Sequence, residues 1–198
     1  MRKALANVRK VVAGTMTLVA LFAFTGCVQS VYPWYEERDV VFDGDLAGRW
    51  VGEGDLDSCV LRITGDPARE SSHYNLEFSK VEGGCPDIKD GFNLTGGGQL
   101  VRVDRQRFLD VWDDDYRLHN ILKINLDPRV LSLVPIDSDA LGNLIRHKTV
   151  KLRGRVERHL RDPDDVLLTS TTRDLRRFLI DHAGDPKLFS AELRFHRK

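Results

Sequence analysis

The chain has 198 residues, in which 30 Lys and Arg balance 30 Asp and Glu, together with three Cys and three Trp. That neutral balance excludes the strongly basic domain that nucleic-acid binding requires, so no nucleic-acid partner is expected. The length suits one domain that buries its own core without metals or several disulfides. In chain order the first element is a leader: Arg2, Lys3, Arg9 and Lys10 form a basic front, an apolar run follows from Val11 to Phe24, and the small residues Thr25 and Gly26 precede Cys27. The run has the length of a signal-peptide core, about 7 to 15 residues, and falls short of the about 20 that a spanning helix needs.

Phe24-Thr25-Gly26-Cys27 resembles the bacterial lipobox, in which an apolar residue and two small residues precede a Cys that is lipidated and becomes the new first residue. The resemblance implies a cleaved signal at residues 1–26 and lipidation at Cys27. It also implies a lipidated tether at 27–39 and one mainly β domain at 40–198. Each buried acyl methylene contributes about 0.8 kcal/mol, so two or three chains anchor a protein without any spanning segment. In such lipoproteins an Asp after the lipidated Cys commonly marks inner-membrane retention; Val28 stands there, which implies the outer membrane of a bacterial cell envelope. Losing residues 1–26 removes four cations and no acid, leaving 26 basic against 30 acidic residues, a net charge of −4. In the segment that follows, Val31-Tyr32-Pro33-Trp34-Tyr35 suits the headgroup level of a membrane, and equally suits packing on the domain.

With Cys27 committed to lipid, Cys59 and Cys85 remain as a pair in a compartment that permits disulfides, and a bond between them is the preferred reading. A closed loop of that length stabilises by roughly 3 to 4 kcal/mol in the chain-entropy model. Free buried thiols are the competing reading; a redox pair is disfavoured because no Cys-x-x-Cys spacing occurs.

From Leu46 the chain alternates. The segments 46–53, 59–64, 73–81, 99–103 and 108–112 have strand length. Between them lie turn formers at Gly52-Glu53-Gly54-Asp55, Gly65-Asp66-Pro67, Gly83-Gly84-Cys85-Pro86, Gly96-Gly97-Gly98 and Asp104-Arg105-Gln106, so an antiparallel meander is predicted. Ile121 to Leu126 and Val130 to Val134 form a further pair around Asp127-Pro128. A helix is predicted over 138–146, capped by Asp137 or Ser138, then a short strand over 166–169. A second helix opens at Ser170-Thr171-Thr172 and runs to about His182, with Leu175, Phe178, Leu179 and Ala183 as its packing stripe and Arg173, Arg176 and Arg177 outward. Ala191 to Phe195 reads as a last strand. The fold class is α+β, mainly antiparallel β: a meander or lipocalin-like partial barrel with two short helices in the C-terminal half. Gly48-Arg49-Trp50 resembles the opening strand of lipocalin-like barrels, where the Trp caps one end. The wider pattern, from Cys27 through Val40-Val41-Phe42 and Phe108-Leu109-Asp110 to Leu175 and Leu179, resembles a broad set of bacterial envelope lipoproteins with no established activity.

The sequence has no nucleophile elbow, no His-Glu-x-x-His pair, no phosphate-binding glycine loop and no dinucleotide fingerprint. The six histidines are scattered and read as surface or capping residues. Asp113-Asp114-Asp115 lacks the spacing of a calcium loop, and Gly96-Gly97-Gly98 reads as a turn or bulge. No metal and no cofactor is expected. Seven cations stand between Arg146 and Arg161 against Glu157. They read as a self-neutralised face or as a patch toward anionic lipid, the first being preferred. Two functions follow: a binding or interaction module for an apolar small ligand or an envelope protein partner, or an envelope-directed hydrolase using dispersed carboxylates such as Asp110, Asp113 or Asp114.

Overall fold

Alternation of apolar and polar residues along successive short strands leaves one face of each strand in need of cover, and curling the sheet onto itself satisfies all of them at once. The computed structural model describes residues 28–66, 73–80, 95–112, 117–157, 164–189 and 192–198. In order the elements are β1 (Val28–Ser30), β2 (Val40–Val41), β3 (Gly48–Gly52), β4 (Cys59–Asp66), β5 (His73–Lys80), β6 (Gly96–Val103) and β7 (Gln106–Trp112). There follow β8 (His119–Leu126), β9 (Val130–Pro135), α1 (Ser138–Arg146), β10 (Gly154–Glu157), β11 (Asp165–Leu168), α2 (Thr172–His182) and β12 (Leu193–Arg197). Strands β3 to β9 form an antiparallel meander, and β12 inserts between β9 and β3 to close an eight-stranded, lipocalin-like barrel. No helix among the described residues is long and apolar enough to cross a membrane.

The barrel is filled. Trp50, Leu61, Leu109, Leu122, Leu131, Leu133 and Phe195 point inward and are 0% exposed. One end is sealed by the Gly48-Arg49-Trp50 strand: the Trp50 indole N–H donates to the Leu46 carbonyl at 3.0 Å, and the Arg197 guanidinium lies 4.3 Å over the ring. Arg197 also donates to the carbonyls of Ala47, Asp45 and Pro128, tying the last strand to the first turn of the barrel. Gly48 makes room for it, since a Cβ there would lie 2.8 Å from an Arg197 nitrogen.

A second core lies outside the barrel. Strand β9 pairs with β8 only as far as Pro135 opposite Leu122; proline has no N–H to continue a ladder. Beyond it His119 and Asn120 pair with β1, which runs parallel to β11, itself antiparallel to β10. Both helices are capped, Asp137 accepting from the Ala140 N–H and Thr171 from that of Asp174. Helix α2 lays Leu175, Phe178 and Leu179 against the outward residues Val101, Val103 and Phe108.

The predicted helices and most predicted strands stand where alternation and capping put them, with several corrections. Gly96-Gly97-Gly98 is the start of β6 and not a turn, and Gly65 and Asp66 belong to β4; at Gly65, Gly97 and Gly98 neighbouring side chains occupy the space that a Cβ would take. The last strand is 193–197. The cationic stretch holds strand β10, and its Arg146 pairs with Asp164. Arg176 turns inward from α2 onto the buried Asp39, at 2.7 and 2.9 Å. From Val28 onward the segment expected as a tether lies within the fold: Val28 and Ser30 are buried in β1 and Trp34 is 0% exposed. Of the aromatic segment Val31, Tyr32 and Pro33 are exposed and Trp34 and Tyr35 are buried. Cys27, Cys85 and Asp113 to Asp115 lie outside the described residues.

Candidate functional site

The run Phe108-Leu109-Asp110-Val111-Trp112 alternates across the barrel wall, so Leu109 and Val111 face the interior while Phe108, Asp110 and Trp112 face out. A carboxylate in the middle of an apolar strand requires donors when it is buried. Asp110 is 0% exposed and has three. The Trp34 indole N–H donates to its Oδ1 at 3.1 Å. The Tyr35 hydroxyl lies 3.1 Å from its Oδ2 and 2.6 Å from the Gln99 amide oxygen. His119 Nδ1 stands 2.6 Å from Oδ2.

Each group arrives from a different element. Gln99 is the partner of Asp110 across the β6–β7 ladder, and His119 follows from the β7–β8 hairpin, in register with Trp112. Trp34 and Tyr35 come from the N-terminal segment, which β1 pins to β8 and which the Asp39–Arg176 pair pins to α2. Edge-on packing fixes the rings, Trp34 lying 5.1 Å from Tyr35 and 5.4 Å from Phe108. Burial, and then the neighbouring Asp110 carboxylate, raises the Tyr35 phenol well above its usual range, so it remains a donor at any physiological pH.

The contact between the Asp110 carboxylate and Nδ1 fixes the orientation of the His119 ring, with Nε2 on the side away from the carboxylate. The His119 side chain is 16% exposed, and its Nε2 has no hydrogen-bond partner among the described residues. Beside it lies a half-buried indole. Trp112 rests on β6 at Gly97, where a Cβ would come within 2.6 Å of its ring, and is flanked by His73 at 4.9 Å and His119 at 6.1 Å between ring centroids.

Of the carboxylates singled out in the sequence, Asp110 lies in this cluster, where it orients an imidazole and does not itself meet solvent; Asp113 and Asp114 lie outside the described residues. Ser30 faces His119 across the β1–β8 pair but is no nucleophile: it is 0% exposed and its hydroxyl donates to the Tyr32 carbonyl at 2.7 Å. Cys59 is 0% exposed at the start of β4, within the barrel core and remote from the cluster in the strand order. Among the described residues no group of three or more His, Cys, Asp and Glu side chains is arranged to hold a metal ion. Sequence reading missed His119, Tyr35, Gln99 and Trp34 as a group. The one available signal was Asp110 itself, a charge between Leu and Val in a strand. No family model, no curated protein and no solved structure matches this chain.

Proposed function

We propose that this protein is a lipid-anchored component of a bacterial cell envelope, held through Cys27 in the outer membrane, and that it works as a binding or interaction module through the outer face of its barrel. The filled interior carries the choice of the outer face: with Trp50, Leu109, Leu133 and Phe195 all 0% exposed, an apolar ligand has no room among them. Outside, Asp110 holds the His119 imidazole in a fixed orientation beside the Trp112 ring. The anchoring part rests on the lipobox resemblance and on the position of Val28, which enters the sheet directly after Cys27 and would hold the domain close to the bilayer. A hydrolase using Asp110 has less support, since its carboxylate is occupied by Trp34, Tyr35 and His119 and Ser30 is engaged elsewhere.

Metabolic labelling with a palmitate analogue and detergent phase partition test the anchor. The wild-type chain is expected to carry label and partition into detergent, and Cys27→Ser to lose both; retention of the variant with the membrane would overturn the anchored reading. A disulfide between Cys59 and Cys85 belongs to the same compartmental proposal. Thiol labelling of the unfolded, unreduced chain is expected to find both blocked, and labelling of both would dismiss it.

A further inference from the structure

We infer that the free edge of strand β10 is a pairing surface for a second copy of this chain, the two copies joining edge to edge about a twofold axis at Val156. Strand β10 is the last of the sheet and pairs with β11 alone among the described residues. Two neighbouring bonds fix the direction of its backbone groups. Arg153 accepts from the Thr169 N–H, and the Val31 N–H donates to the Leu168 carbonyl. Arg153, Arg155 and Glu157 therefore turn their backbone groups toward β11, while Gly154 and Val156 turn theirs outward. Neither Gly154 nor Val156 has a backbone partner on that outer side among the described residues. The adjoining face is open to solvent: the Arg155 and Glu157 side chains are 79% and 59% exposed.

Sheet edges commonly carry like charges that hold a second sheet off. Here the two exposed charges are opposite, 3.6 Å apart along the strand, and Arg155-Val156-Glu157 is its own complement when reversed. A second β10 laid antiparallel with Val156 opposite Val156 brings each Arg155 across from the Glu157 of the other copy. In that register the two Val156 residues, whose N–H and C=O point outward, exchange a pair of hydrogen bonds. Arg155 and Glu157 then fall at the positions without backbone bonds, where side chains approach most closely. A register centred on Gly154 keeps the backbone direction but sets Arg153 against Arg155, two exposed cations. Backbone direction and charge select the same pairing. On the other face Val156 packs half-buried under α1, where a Cβ at Gly142 would lie 3.1 Å from it, so the pairing also brings the two valines together beneath the helices. The contact is isologous and closes at two copies, because each β10 has one free edge. It goes beyond the binding reading above, since β10 belongs to the core outside the barrel and shares no residue with the Asp110 cluster.

Sedimentation equilibrium of the full-length protein, in a density-matched detergent with micelles in excess, tests the pairing at about 1 to 100 μM. A reversible monomer–dimer equilibrium is expected. Glu157→Arg sets a cation opposite Arg155 at both ends of the symmetric pair and is expected to raise the dissociation constant about tenfold, as is Arg155→Glu. Combining the two reversals restores the complement and is expected to return the constant to within about twofold of wild type. Both side chains are exposed, so these variants keep the fold. Val156→Pro removes an N–H that points outward and not into the β10–β11 ladder; it is expected to abolish the dimer with the circular dichroism unchanged. A protein that is monomeric at every concentration overturns the inference. So does a dimer indifferent to the single reversals, or one that the combined exchange does not restore. The equilibrium turns on β10 alone, so its failure and the failure of the anchoring or binding readings are separate results.

Discussion

The two cores of this protein solve different problems. Inside the barrel the packing is almost wholly apolar, and the one phenol there, Tyr74, sends its hydroxyl to the Asp43 backbone at the rim. Outside it, the core under the helices and the N-terminal segment holds the buried carboxylates Asp39, Asp110 and Asp164, which accept from Arg176, from Trp34 and its neighbours, and from Arg146. The interior needs only shape and hydrophobicity, which many sequences supply. The outer core needs particular partners, because an unpaired buried charge costs more than a lost apolar contact.

Substitutions in each region sharpen this contrast. The largest loss is expected inside: Phe195→Ala, at a side chain that is 0% exposed, is expected to cost about 3–5 kcal/mol in denaturant unfolding. A loss below about 1 kcal/mol would mean that the interior collapses easily, contrary to its close packing. Next comes Asp110→Ala, which strips Trp34, Tyr35 and His119 of an acceptor at once and is expected to cost roughly 3 kcal/mol. Unfolding should show no such loss for a volume-conserving exchange inside the barrel such as Leu109→Met.

A smaller effect divides the regions by pH. The hydrogen bonds from Arg176, reinforced by its charge, hold the Asp39 carboxyl below its ordinary value of 3.8. A depressed carboxyl contributes stability that is complete above the unfolded value and is lost as pH falls through the folded one. Asp39→Asn is therefore expected to lower the melting midpoint at pH 7 and pH 5 alike, and the gap to wild type is expected to close toward pH 2. A gap that persists unchanged in acid would assign the effect to packing. Smallest is Tyr35→Phe, expected to cost about 1 kcal/mol at pH 7. The Tyr35 phenol is raised above its usual 10.0 by burial, so the wild-type protein loses stability as pH rises beyond that value, while the unfolded chain sheds its proton first. The variant is expected to show a flatter alkaline limb in pH-jump unfolding.

Leu61, Ile63, Tyr74 and Leu76 were legible as a buried face because strand alternation repeats every two residues whatever the strand pairs with. The helices were legible for a similar local reason: α1 spans 138–146 as its apolar spacing predicts, with Asp137 as its cap, and α2 begins one residue after its capping Thr171. Gly96-Gly97-Gly98 misled because three glycines signal a turn in isolation, whereas here Trp112 and Leu76 occupy the space that side chains would take. Strand β10 was hidden in a run of charges, since Arg155 and Glu157 face solvent and its partner β11 is itself held by β1 from the other end of the chain.

The sequence by itself therefore determined most of the barrel strands, the two helices and their caps, and the charge of Asp110 within an otherwise apolar strand. It did so because these depend on neighbours one to four residues away. Tertiary structure alone decided that β12 closes the barrel, that Arg197 covers Trp50, that Arg176 turns inward to Asp39, and that Tyr35, Gln99 and His119 meet at one carboxylate. Those contacts join residues up to 152 positions apart, and no local pattern carries their register; it is set by where β9 stops at Pro135 and leaves the edge of β8 for β1.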